Sequence, residues 1–185
     1  MKKLIITAII SFISIYLPAA TIYVDTDSVA SHNGHSWQTA YHKLQDALAV
    51  AVSSDEIHIA QGVYRPDETF IEPGGTREQS ATFDLAVDIT LKGGYAGLGT
   101  PDPNVRDIDA YETILSGDLD ENDSAVTNAS QLLSDPNRSE NSYHVISITG
   151  GTASLVLDGF TVTGGMAVGV DPHDIGGGIH GSQLS

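Results

Sequence analysis

The sequence predicts an all-β chain whose short strands wind as a parallel solenoid. Only residues 39–52 carry the apolar spacing of i, i+3 and i+7 that is typical of an amphipathic helix. The stretch LVLDGFTVTGG at residues 155–165 changes its apolar parity at Asp158-Gly159, so Leu157 and Phe160 can share one interior only if the chain bends there. Glycine is common at such corners, and ten of the 19 glycines lie in residues 150–185.

Residues 1–20 predict a signal peptide for export. Two lysines precede an apolar run at residues 4–17, and Pro-Ala-Ala follows at 18–20. This run is shorter than the span of about 20 residues that crosses a membrane, and small residues suit a cleavage site. We therefore expect a mature chain of residues 21–185 with no membrane span, located outside the cell or on its outer surface. An uncleaved membrane anchor is the alternative.

The remaining elements follow in chain order. Residues 21–25 predict a strand, and residues 39–52 predict a helix that Ser36 or Thr39 can cap. Alternating apolar residues then predict strands at 56–59, at 83–91 with Gly93-Gly94 as its end, at 113–116, at 143–149, and at 155–163 with the bend.

Two segments are predicted to be loops, and one spacing predicts the length of a coil. The Pro- and Gly-containing residues 61–80 and the acidic residues 118–141 predict loop insertions into the coil. The spacing from Leu157 to Ile179 predicts coils near the short end of the range of about 20–50 residues in solenoid repeats.

The order of these motifs resembles a known family. The motifs are TIYVD, a turn with SW, a helix followed by DEIHIAQGVYRP, then GGY, TILSGD, LDGFTVTGG and GGGI. Together they resemble the N-terminal section of secreted bacterial right-handed parallel β-helix proteins of the pectin-lyase-like superfamily. GGGI at residues 176–179 also resembles the GGxI repeat of polymorphic outer-membrane proteins. The resemblance implies a right-handed parallel β-helix with an N-terminal capping α-helix, continued by downstream coils of the same chain.

Composition excludes several classes of partner. The chain has 8 Lys+Arg against 24 Asp+Glu, a formal net charge of −16. This charge argues against nucleic acid and against anionic membrane surfaces, because both require clustered cations. The 41% hydrophobic content is too high for an acidic disordered tail. Because the chain has no cysteine, disulfides, lipoprotein anchors and thiolate metal sites are excluded.

The acidic loop contains a candidate calcium site. Asp118, Asp120, Asn122 and Asp123 bring together the oxygen ligands that Ca²⁺ prefers, so a weak extracellular Ca²⁺ site is one interpretation. Against the calcium-loop pattern, Asp123 takes the sixth position, where glycine is needed, and Ala129 takes the twelfth, where glutamate is needed. A solvated acidic loop is the other interpretation.

Histidines form two further groups that are candidates for metal binding. His32 and His35 make an H-x-x-H in a Gly-Asn loop, and His173, Asp174 and His180 lie close together in sequence. Neither group has a clear third ligand and general base, so exposed loop histidines are the default interpretation.

Two aromatic residues allow a sugar-stacking surface as well. Trp37 and Tyr41 can stack on a sugar ring or can pack the predicted helix on the first coil, and the second interpretation is preferred because Tyr41 lies on the apolar helix face.

Catalytic residues cannot be assigned from the sequence. Lyases of the family that the chain resembles use bound Ca²⁺ and a basic side chain on a sheet face. Here Arg65, Arg77, Arg106 and Arg138 all lie in predicted loops. We therefore expect a structural, adhesive or glycan-binding role, with polysaccharide or cell-surface glycan as partner. The alternative is a polysaccharide-degrading enzyme, either a pectate-lyase-like lyase or a glycoside hydrolase, whose site lies on later coils.

Overall fold

The computed structural model describes residues 18–29, 32–125, 128–132, 134–149, 154–168, 170 and 173–181, and it is built mainly from short parallel strands. The signal-peptide prediction at residues 1–17 lies outside this range. The strands are β1 Thr21–Val24, β2 Glu56–Ala60, β3 Gly62–Tyr64, β4 Phe83–Asp84, β5 Thr90–Tyr95, β6 Thr113–Ser116, β7 Ile146–Ile148, β8 Val156–Asp158, β9 Thr161–Thr163 and β10 Ile179–Gly181. The helical elements are α1 Leu44–Leu48 and the 3₁₀ helices Trp37–Thr39, Ala129–Gln131 and Pro136–Arg138.

The strands form three parallel sheets that the chain visits in a repeating order. Sheet A has the order β1-β2-β5-β8, sheet B has β3-β6-β9, and sheet C has β10-β7-β4. From β2 to β10 the chain passes through A, B and C three times, and each named strand pair is parallel. The prediction of a mainly β chain with parallel sheets is confirmed, and this topology is compatible with a solenoid of the β-helix type.

The registers give the length of chain between stacked strands. In sheet A, Ile22 pairs with Ile57, Ile57 with Leu91, and Leu91 with Leu157. The first two steps are nearly equal, and the third is close to twice as long because it includes the acidic segment at 118–141. The prediction of a coil that runs from Leu157 to Ile179 is wrong, because Leu157 lies in sheet A whereas Ile179 pairs with Ile146 in sheet C.

The bend at Asp158-Gly159 is confirmed. Strand β8 ends at Asp158 in sheet A, and β9 follows in sheet B. Gly159 has a φ of +82°, which side-chain-bearing residues rarely adopt. Leu157, Phe160 and Val162 pack against one core despite their change of parity. A corner therefore explains the sequence pattern that a flat strand could not.

The predicted strand at 83–91 is wrong, because it is two strands in different sheets. Strand β4 belongs to sheet C and β5 to sheet A, and a corner separates them. Phe83, Leu85, Ile89 and Leu91 are all buried, so the alternation of apolar residues continues through the corner and does not reveal it. Strand β5 also runs through Gly93-Gly94, the predicted end of the strand.

The predicted helix at 39–52 is much shorter in the structure. The Tyr41 backbone N–H donates to the Tyr23 carbonyl at 2.9 Å, and Asp25 N–H donates to the Tyr41 carbonyl at 2.8 Å. This pairing holds Tyr41 in extended backbone beside β1, so α1 begins only at Leu44. The predicted capping is wrong: Lys43 is the N-cap of α1 and makes no side-chain capping bond.

Both expected loop segments contain local structure. Strand β3 lies inside residues 61–80 and belongs to sheet B, so this part of the loop prediction is wrong. The described part of 118–141 holds two 3₁₀ helices. Arg65 Nε donates to the Asp118 carbonyl at 2.9 Å, and Arg138 pairs with Asp123 at 2.7 Å. The first contact ties the acidic segment to the residue that follows β3, and the second joins two parts of the segment itself.

One continuous core fills the space between the sheets. Its members come from all three sheets and from α1, as Ile57, Leu115, Ile146 and Leu44 illustrate. Each of these four side chains is at most 1% exposed. The outward-facing residues of each strand are consequently the ones available for function.

The Arg138–Asp123 pair should stabilise the acidic segment measurably. The Arg138 side chain is 14% exposed and the Asp123 side chain 16%, and Asn141 Nδ2 also donates to Asp123 at 3.0 Å. Burial raises the pKa of Asp123, and the Arg138 charge opposes this. We expect Arg138→Gln to lower the free energy of unfolding by about 1–3 kcal/mol, because it leaves a buried carboxylate without its cation. Urea denaturation measures the change.

Arg77→Gln is the matched control for Arg138→Gln. Arg77 also pairs with an aspartate of this segment, Asp120, but its side chain is 68% exposed. An exposed pair contributes at most about 1 kcal/mol. Equal losses in the two variants would show that burial does not decide the contribution of these pairs.

Candidate functional site

The outer face of sheet A carries a row of charged side chains. His58 on β2 lies beside Lys92 on β5, and Lys92 lies beside Asp158 on β8. Because strand residues alternate in direction, these three point away from the core, as does Glu56 two residues before His58. We call Glu56, His58, Lys92 and Asp158, with Arg106, the sheet A face.

Two ion pairs organise the sheet A face. Lys92 Nζ lies 2.7 Å from Glu56 Oε2, and His58 Nε2 contacts the other oxygen of Glu56. Arg106 Nη2 lies 3.0 Å from Asp158 Oδ2. Arg106 Nε also donates to the Gly93 carbonyl at 2.8 Å, which fixes the guanidinium over the end of β5. Positive and negative side chains therefore alternate on this face, and the strands of sheet A fix their positions.

The protonation states of this face follow from its contacts. Burial acts to raise the pKa of Glu56, but hydrogen bonds from Lys92 and His58 outweigh burial and hold that pKa below its ordinary value. The hydrogen bond to Glu56 raises the pKa of Lys92. Lys92 is therefore a fixed cation at neutral pH and a poor proton acceptor.

The sequence alone does not identify the residues of the sheet A face as a site. The alternation at Ile57 and Ile59 places Glu56 and His58 outward, but the sequence pattern puts Lys92 at the end of a strand that terminates at Gly93. Recognising TLKGGY as one strand would have placed Lys92 outward. Arg106 lies 13 residues after Gly93, and no local pattern indicates that its side chain returns to sheet A.

An aromatic cluster flanks the same face. Trp37 lies 4.8 Å from Tyr23 and 5.5 Å from Tyr95 between ring centroids, and His58 stacks on Tyr95 at 4.4 Å. Trp37 is only 4% exposed, and its Nε1 donates to Asn104 Oδ1 at 2.9 Å. Trp37 therefore does not present a free face to a sugar. The preferred interpretation, in which both aromatic residues pack the helix on the first coil, is wrong for Trp37, which clusters with residues of sheet A and not with α1. Tyr41 does pack against the core cluster that contains Leu44 of α1.

A cleft opens at the corner between sheets A and B, next to Asp158. It has a volume of about 510 Å³. Glu112 accepts a hydrogen bond from Thr161 Oγ1 at 2.8 Å at its wall. The lining residues combine carboxylates, hydroxyls and one aromatic ring: Ile108, Asp109, Glu112, Thr113, Gly159, Phe160 and Thr161. We call this space the corner cleft.

The candidate calcium ligands are engaged with protein donors. The Asp118 carboxylate accepts from the backbone N–H groups of Asn122 and Asp123, both at 3.1 Å. Asp120 pairs with Arg77, and Asp123 pairs with Arg138. In the described part of the chain, no group of three His, Asp or Glu side chains is arranged to hold a metal ion. The calcium site stays a prediction.

The structure brings together histidines that are not close to one another in the sequence. The ring of His32 contacts His42 at a centroid distance of 4.2 Å. His173 Nδ1 lies 3.2 Å from His144 Nε2, and the ring of His180 stacks on His144 at 4.5 Å. His144 is thus the centre of a group of which the sequence pattern shows only His173 and His180.

Every Lys and Arg after residue 20 is paired with a carboxylate. The sequence contains two lysines and four arginines there, and the structure describes all six. The pairs are Lys43–Glu68, Arg65–Glu68, Arg65–Glu121, Arg77–Asp120, Lys92–Glu56, Arg106–Asp158 and Arg138–Asp123. The surface therefore offers no uncompensated cation among these six residues.

Comparison with protein-family models, with curated proteins and with solved structures finds no match for this chain. Within the residues that the structure describes, no helix has the length and apolar character needed to span a membrane.

The Glu56–Lys92 pair predicts a specific titration change. Lys92→Gln removes the cation that lowers the Glu56 pKa, so this pKa should rise toward or above its ordinary value. A lowered carboxyl pKa supports folding above the unfolded value and loses that support as pH falls through the folded value. The variant should therefore lose less stability between about pH 5 and pH 3 than the parent.

Carbon-detected NMR titration of the Glu56 carboxyl measures this shift directly. Lys43→Gln is a suitable control, because its partner is Glu68 and not Glu56. An unchanged Glu56 titration in Lys92→Gln would contradict the assignment of Lys92 as the controlling cation.

Proposed function

We propose that this chain is an exported right-handed parallel β-helix protein that binds neutral glycans at the sheet A face and the corner cleft. The fold part of the proposal is supported by the repeated passage through sheets A, B and C and by the parallel pairing of the named strands. Right-handedness is supported by the rule that about 98% of parallel crossover connections have that hand. Export is supported by the signal-like composition of residues 1–20.

The single observation that carries the binding proposal is the corner cleft beside a rigid polar sheet face. Glu112 and Thr161 form a hydrogen-bonded pair at its wall, and Phe160 supplies an apolar surface. Sugars require this combination, because each ring presents hydroxyl groups at its edge and C–H groups on its face. A volume of about 510 Å³ lies within the range of about 300–1,000 Å³ for small-ligand pockets.

The charge distribution favours a neutral ligand over an acidic one. A polyanion such as pectate needs cations that its carboxylates can contact. In this chain Lys92 and Arg106, the cations of the sheet A face, are already paired with Glu56 and Asp158. Binding an anionic polysaccharide would bring its charge close to a protein of net charge −16.

A glycoside hydrolase is the second candidate, and the carboxylates of the cleft favour it. Asp109 and Glu112 both line the corner cleft. Hydrolysis of a glycosidic bond commonly uses two carboxyl groups on either side of the bond. The raised pKa of Lys92 disfavours a lyase that would use this lysine as its base.

Glycan-array binding with a set of neutral and acidic polysaccharides tests the proposal. We expect binding to neutral members, weakened about tenfold by Glu112→Gln through loss of one charged hydrogen-bonding group. Glu78→Gln, an exposed carboxylate that does not line the corner cleft, is the control and should bind normally. Exclusive binding to acidic polysaccharides would refute the proposal. Release of new reducing ends that Glu112→Gln abolishes would favour the hydrolase.

A further inference from the structure

We propose that the export signal is removed between Ala19 and Ala20, and that the new α-ammonium group of Ala20 forms an ion pair with the buried carboxylate of Asp55. This inference rests on the proposed export of the chain. In the cleavage step, a signal peptidase uses water to hydrolyse the Ala19–Ala20 peptide bond. The step leaves a carboxylate on Ala19 and an ammonium group on Ala20.

The geometry around Asp55 carries the inference. Ala20 N lies 2.8 Å from Asp55 Oδ1 and donates to it, and Val52 N–H donates to Oδ2 at 3.0 Å. Asp55 is only 4% exposed. In the part of the chain that the structure describes, no Lys, Arg or His forms an ion pair with Asp55. Asp55 Oδ1 therefore accepts a hydrogen bond from the Ala20 nitrogen, which becomes an ammonium group after this cleavage.

The same contacts distinguish a cut after Ala19 from the cut after Ala20 that a mature chain of residues 21–185 implies. A cut after Ala20 would remove the donor to Asp55, and it would remove the Ala20 carbonyl, which accepts from Glu56 N at 2.9 Å. Either cut places an alanine before the scissile bond, but only a cut after Ala19 keeps both hydrogen bonds of Ala20. Residues 18–20 are exposed, so this bond lies at the surface.

The charge on Ala20 should strengthen the contact. An ammonium–carboxylate hydrogen bond is roughly twice as strong as one between neutral groups. An α-amino group ordinarily titrates at about 7.7–8.0, and an anionic partner raises the folded-state value. The stabilisation is therefore fully present below about pH 7.7 and is lost as pH rises through the raised value.

The first experiment determines the N-terminus of the exported protein. The full chain is expressed in a secreting bacterium, and the exported product is analysed by intact mass and N-terminal sequencing. We expect Ala20 as the first residue. Thr21 or any other first residue would overturn this inference while leaving export intact. A chain retained in the cell with residues 1–20 attached would instead overturn the proposed export.

The second experiment isolates the ion pair with defined N-termini. One form begins at Ala20, and its matched control carries a single N-acetylated glycine before Ala20, so that the backbone N–H bond is kept and the terminal charge is removed. At about pH 6.5 the Ala20 form should melt about 2–4 °C higher, and the difference should disappear near pH 10. In an Asp55→Asn background the two forms should melt together. Equal melting of the two forms with Asp55 present would refute the ion pair.

Discussion

Replacing Gly93 with valine should prevent stable folding or lower the free energy of unfolding by about 3 kcal/mol or more. A Cβ atom at Gly93 would overlap the Gly159 carbonyl oxygen, and it would lie 2.9 Å from Thr113 Cβ and 3.0 Å from Phe160 Cε1. The closest of these contacts is with backbone, which cannot move aside as the end of a flexible side chain can, so the new group forces the chain to shift. Urea denaturation and far-UV circular dichroism measure the loss.

Gly74→Ala is the control for this prediction. A Cβ atom at Gly74 would meet no heavy atom within 4 Å. Removing backbone freedom from the unfolded chain at such a position is neutral or stabilises by up to about 1 kcal/mol. If Gly93→Val were as stable as Gly74→Ala, the backbone at Gly159 would not lie as close to Gly93 as the structure shows.

Truncating Phe83 to alanine should cost about 3–5 kcal/mol, the range for large aromatic side chains in a packed core. Phe83 is 0% exposed and lies on β4, which supplies only two strand residues to sheet C. The cavity would therefore lie where the sheet has the fewest backbone hydrogen bonds. Chemical denaturation gives the free energy, and an unchanged slope would show that the folded state stays compact.

Phe70→Ala removes the same side chain from an exposed position. Phe70 is 64% exposed and touches the ring of His32 at a centroid distance of 5.2 Å. Its loss should change stability by no more than about 0.5 kcal/mol. Similar losses for Phe83→Ala and Phe70→Ala would contradict the position of the core between the three sheets.

Local sequence patterns predict those elements whose cause is itself local. Strand β6 matches its predicted bounds at 113–116, and the corner at Gly159 follows from a change of parity that only a bend can satisfy. In contrast, the alternation from Phe83 to Leu91 continues through a corner, with Phe83, Leu85, Ile89 and Leu91 buried and Val87 packed against the same core. Periodicity reports which side faces the core, and it does not report which sheet a residue belongs to.

The sequence does not predict the bounds of the helix or the residues of the sheet A face, because both depend on pairing between segments that are distant in the sequence. Tyr41 has a helical apolar spacing, but its backbone bonds to β1, and that tertiary contact overrides the local preference. Lys92 and Asp158 are distant in the sequence and become neighbours only through the register of β5 and β8. Such a register cannot be read from one sequence, so the charged face of sheet A becomes visible only in the structure.

The pairing of every Lys and Arg after residue 20 also determines how the protein responds to dissolved salts. Since Lys43, Arg65, Arg77, Lys92, Arg106 and Arg138 are each neutralised locally, the remaining carboxylates repel one another across the surface. Dissolved ions screen this repulsion over about 8 Å at physiological ionic strength. Short-range pairs with low exposure, such as Arg138–Asp123, are screened much less. Added salt should therefore favour the folded state, and in dilute solution the same repulsion keeps separate copies of the protein apart.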